Sequence, residues 1–77
     1  MGSIADEHFK KLGYEKSYLR DKKDIVVWGE CWTNDMGTKI SFDYIDNEIC
    51  VAFENIAVYF GLDILSAINE KVLELGW

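Results

Sequence analysis

The sequence predicts an α+β domain: an antiparallel sheet of three or four strands, flanked by an N-terminal and a C-terminal helix packed on one sheet face. Three observations carry that prediction. Residues 40–53 alternate apolar with polar or small side chains around a short Asp-Asn pair. Segments 3–13 and 64–75 place apolar residues at helical spacing. Both of these segments close on one signature, Lys-Leu-Gly-Tyr at 11–14 and Glu-Leu-Gly-Trp at 74–77. Helices segregated from an antiparallel sheet give the α+β class, and 77 residues give a single domain, 1–77.

The first helix, 3–13, has Ser3 as its cap, with Asp6 three residues later as a weak capping box. Ala5, Phe9 and Leu12 share its apolar face. Gly13 stops it in the left-handed conformation, so the chain folds back and sets Tyr14 against Phe9. The stretch 14–20 adds a strand through the turn Asp21-Lys22-Lys23-Asp24. Strand 25–32, Ile-Val-Val-Trp-Gly-Glu-Cys-Trp, is apolar on both faces, with Ile25, Val27 and Cys31 on one and Val26, Trp28 and Trp32 on the other, Glu30 between them. A three-residue loop 35–37 turns the tryptophans to the core, and a four-residue loop from Asn34 turns them away. In the hairpin 40–53, a two-residue turn at Asp46-Asn47 sets Tyr44 opposite Ile49, Phe42 opposite Val51, Ile40 opposite Phe53 and Lys39 opposite Glu54. Residues 56–61 fit either a strand or a helical turn. The last helix, 64–75, is capped by Asp63 and buries Leu65, Ile68, Val72 and Leu75, with Ile64 beside that stripe. Glu70, Lys71 and Glu74 face outward. Gly76 repeats the stop of Gly13 and folds Trp77 back toward Val72.

A chain this short buries about 60% of its unfolded surface. Its core must therefore be rich, and 49% of the residues are apolar, with three Trp, four Tyr and four Phe. Met1 to Ser3 resemble a cloning remnant. The opening has no basic region leading into an apolar run, and no stretch approaches the length of a membrane span. With only two cysteines, Cys31 and Cys50, the reading is a cytoplasmic protein with free thiols. The net charge of −6 lies in the second half, where residues 40–77 hold one base, Lys71, against seven acids. That balance argues against direct nucleic-acid binding.

Catalytic and metal chemistry find little purchase. His8 stands alone, without a nucleophile motif. One His and two Cys at this spacing fit no zinc pattern. Asp43, Asp46 and Glu48 surround a turn without the glycine of a calcium loop. No phosphate-cradling glycine loop exists. The expectation is a non-enzyme without metal or cofactor.

Three stretches point to a setting. His8 to Lys16 (HFKKLGYEK), Ile40 to Tyr44 (ISFDY) and Ala67 to Trp77 (AINEKVLELGW) resemble small uncharacterised proteins from phages and prophages of Gram-positive bacteria, which close on an Ala-Ile-Asn-x-Lys…Leu-Gly-Trp motif. The resemblance spans about half the chain and departs at Tyr59 to Leu65 (YFGLDIL). It implies a bacterial or phage-infected cell and an accessory role, and it assigns no site. Together with the two-sided apolar strand, it leads to the expectation of a protein-binding accessory module. A sharper form is an acidic inhibitor of a host nucleic-acid-binding or defence protein. The partner-binding candidates are Val26, Trp28, Trp32, Asp43, Asp46, Glu48, Glu70 and Glu74, the carboxylates standing in for phosphates. The alternative is a structural homo-oligomer associating through its sheet.

Overall fold

A computed structural model describes residues 3–53 and 60–77. The order is α1 (Ile4–Lys11), β1 (Glu15–Arg20), β2 (Val27–Thr33), β3 (Lys39–Asp43), β4 (Glu48–Ala52) and α2 (Leu62–Glu74). The strands form one antiparallel meander, β1-β2-β3-β4. The anticipated α+β class is the observed one, with four strands.

Strand alternation divides the sheet into two faces. Trp32, Ile40 and Phe42 point to the helix side and join Phe9 and Tyr14 from the α1 end and Ile64 and Ala67 of α2 in one buried cluster. Phe9 stacks on Trp32 at 4.8 Å and meets Phe42 edge-on at 6.2 Å. The opposite face carries Ser17, Cys31, Ser41 and Cys50 in one cross-strand row. Cys31 and Cys50 are free thiols separated by β3.

Both helix endings form as anticipated. Gly13 has φ 89° and Gly76 has φ 76°. Tyr14 N–H donates to the Phe9 carbonyl at 3.0 Å, and Trp77 N–H to the Val72 carbonyl at 3.1 Å. Tyr14 packs edge-on against Phe9, and the Trp77 ring lies 6.2 Å from Phe42. Ser3 Oγ accepts from Asp6 N–H at 2.9 Å, the expected cap. The Asp6 carboxylate takes no part in a reciprocal box, because two ammonium groups engage it.

Four details depart from the sequence reading. Helix α2 starts at Leu62 with Gly61 at its cap, so Asp63 lies in the first turn. Its buried stripe is Ile64, Ala67 and Lys71, while Leu65 is half exposed. Strand β2 starts at Val27, because the Asp21 carboxylate accepts from Ile25 and Val26 N–H and holds both in the β1–β2 loop. The β3–β4 hairpin closes at Asp43–Glu48, pairing Phe42 with Ile49, Ile40 with Val51 and Lys39 with Ala52. Asp43 Oδ1 accepts from Ile45 and Asp46 N–H, and Asn47 takes φ 55°, which makes a four-residue loop. The register moves by two, so the faces keep their sides. The expected partner Glu54 and most of 56–61 lie outside the described residues. The 35–37 alternative holds: Trp32 pairs with Ile40, and Asn34 Oδ1 accepts from Met36 and Thr38 N–H.

Candidate functional site

The most heavily constructed polar site is buried between helices and sheet. Glu30, 2% exposed on β2, receives three donors. The Trp32 indole N–H donates to Oε2 at 2.7 Å, the Tyr44 hydroxyl donates to Oε1, and Lys71 Nζ lies 3.2 Å from Oε2. Lys71, 4% exposed on α2, also donates to Asp6 of α1. Lys16 of β1 donates to the other Asp6 oxygen at 2.9 Å and stands 4.0 Å from Glu30. Two carboxylates and two ammoniums thus alternate across α1, α2, β1 and β2. Burial would raise the Asp6 pKa, but hydrogen bonds from Lys16, Lys71 and Ser3 outweigh it and hold the carboxyl at about 2. Burial and the Glu30 carboxylate push the Tyr44 hydroxyl well above its usual range. Burial would lower Lys16, yet Asp6, Tyr18 and Glu30 raise it overall. Charges so matched serve to fix the helices on the sheet.

The partner-binding candidates separate into three groups. Trp32 is fully buried and belongs to the core, stacked on Phe9. Glu70 and Glu74 are engaged within the chain: Glu70 Oε1 lies 3.3 Å from His8 Nδ1, and Glu74 Oε2 accepts from Ala5 N–H at 2.9 Å. Together with Lys71 these carboxylates fasten α1 along α2; Lys71 is buried rather than outward and Glu70 is half buried, while Glu74 is exposed as expected.

The remaining five gather at one end of the sheet. In a meander, the β1–β2 and β3–β4 loops emerge at the same end. Tyr44 N–H donates to the Trp28 carbonyl at 2.9 Å and ties the base of one loop to the neighbouring strand. Val26 is exposed there, as are Ile25 and Ile45, while Trp28 of β2 is half buried. Asp43, Asp46 and Glu48 border this end, the latter two exposed. Ile45 was missed because a two-residue turn would have kept it in the strand.

His8 and Glu70 line a shallow cleft with Ile4, Glu7 and Lys11. A histidine held by a carboxylate is half of an acid–base apparatus. Among the described residues, no hydroxyl or thiol side chain lines this cleft to act as a nucleophile. Among the described residues no cluster of three His, Cys, Asp or Glu side chains could hold a metal ion, and no helix is long and apolar enough to cross a membrane. Comparison with family models, curated proteins and solved structures returned no match.

Proposed function

We propose that this chain is a protein-binding module that acts by occupying its partner, with its docking surface at the sheet end built from loops 21–26 and 44–47. One observation carries the reading. Ile25, Val26 and Ile45 are 73%, 54% and 73% exposed and lie on two adjacent loops, although the domain has a closed aromatic core on which to bury them. Clustered aliphatic exposure marks interaction surfaces. The flanking Asp46 and Glu48 favour a partner with a basic rim, which they would attract at long range. The phage-protein resemblance supports an accessory role in a bacterial cytoplasm. The inhibitor form rests on Asp43, Asp46 and Glu48, since Glu70 and Glu74 serve α1.

The test compares the native chain with an Ile25→Ser/Ile45→Ser variant as baits in a bacterial lysate, at low and high salt. A protein retained by the native chain, lost with the variant and weakened by salt is the expected result. Equal capture by both baits sinks the reading.

A further inference from the structure

We infer that β4 is a pairing edge whose occupant is a second copy of this chain, joined antiparallel about a two-fold axis through Cys50. The inference shares Glu48 with the loop surface above but is carried by the strand edge, not by the exposed aliphatic residues of the loops. It starts from an asymmetry between the two sheet edges. Edge strand β1 carries Glu15, Lys16 and Arg20, and its pairing breaks register between Leu19 and Arg20. Charges and bulges are how sheets blunt an edge. Edge strand β4 has Glu48 at its first position and then Ile49, Cys50, Val51 and Ala52, without charge. Its pairing with β3 is unbroken over five residues, four of its five residues are exposed, and among the described residues it pairs with β3 alone.

Self-pairing restricts the register. Directly opposed residues point to the same face, so core-side Ile49 and Val51 must meet core-side residues of the partner. Centring on Cys50 satisfies this and uses the whole strand. Ile49 then meets Val51 of the partner subunit, and Glu48 meets Ala52 of the partner subunit, each twice by symmetry. Charge selects the same register. Lys39 neighbours Ala52 on β3. Beyond Ala52 comes Glu48 of the partner subunit, two strand spacings or about 9.5 Å from Lys39. The Ala52 methyl leaves both long side chains free to meet above it. Shifting the register by two residues either way removes this ion pair and shortens or strains the overlap. The product is a continuous eight-stranded sheet with all helices on one side.

Sedimentation velocity in reducing buffer, over a wide range of concentrations, tests the inference. The native chain is expected to approach twice its 8.9 kDa mass. Cys50→Lys sets two ammoniums on the axis and should leave a monomer. Glu48→Lys should weaken association roughly tenfold, and adding Lys39→Glu should restore it. A check that needs no variant is mild oxidation by diamide. The reagent accepts two protons and two electrons as two Cys50 thiols form one S–S bond, since opposed antiparallel residues fall within disulfide range. Covalent dimer mapped to Cys50–Cys50 supports the axis. A native chain that stays monomeric, dimers that persist in Cys50→Lys, or a crosslink made through Cys31 each overturn it; the first leaves the edge for a strand of another protein.

Discussion

Glu30 and Lys71 are charged residues at core positions, and their value lies in each other. Removing one partner of a buried pair leaves an uncompensated charge, which typically costs about 3–5 kcal/mol. Glu30→Ala should therefore lower unfolding stability by that amount in urea titration, and a loss below about 1 kcal/mol would contradict the network. The double change Glu30→Leu/Lys71→Met should cost far less than the two single changes added together. Gly29 is fixed for a different reason. A Cβ there would lie 2.5 Å from the Phe42 carbonyl oxygen. Gly29→Ala should cost roughly 1–3 kcal/mol by forcing β2 and β3 apart, read as a lower thermal midpoint. The sequence held a trace of the pair that went unread. Lys71 follows Ile64 and Ala67 at helical spacing, and Glu30 sits between two tryptophans on one strand face. The spacing alone reads Lys71 as an outward exception and leaves Glu30 simply between the tryptophans. Opposite signs at two apolar-stripe positions were the clue that they turn toward each other.

The helices were legible as elements because their endings are local chemistry. The Leu-Gly-aromatic signature specifies a left-handed glycine and a backward hydrogen bond without reference to the rest of the fold. Gly13→Ala and Gly76→Ala should each cost about 1 kcal/mol in thermal or chemical unfolding, since a Cβ is strained at those dihedrals whatever the space around it. The hairpin was legible only in part. Alternation fixed which side chains share a face, but it cannot separate registers two residues apart. Loop length decides that, and it depends on Asp43 accepting from the Ile45 and Asp46 amides and on Tyr44 leaving the ladder to reach Glu30. The start of β2 escaped notice similarly: Asp21, four residues before Ile25, withdraws Ile25 and Val26 from the strand. That withdrawal exposes the surface on which the proposed function rests.

For the molecule as a whole, the network joins both helices to the sheet, so its titration should appear in global stability. The Asp6 carboxyl is held at about 2 against an ordinary 3.8. A depressed carboxylate contributes stability that is present above its unfolded pKa and lost as pH falls through the folded value. Asp6 should thus contribute up to about 2 kcal/mol at neutral pH, lost mainly between about pH 4 and pH 2. Asp6→Asn should flatten that limb of a stability profile followed by circular dichroism. Tyr44 and Lys16 are raised above ordinary values of 10.0 and 10.5, so their contributions hold below about pH 10 and fade as pH rises further. The composition made a rich core legible, and the spacing of apolar residues an α+β plan. It could not show which carboxylates remain at the surface, because that depends on where α1 comes to rest.

The partnership of Glu30 with Lys71 also constrains descent. A lineage that drifts to a neutral residue at either position strands the other, and the fold weakens until the second position follows. These letters, far apart in the chain, should change together or hardly at all.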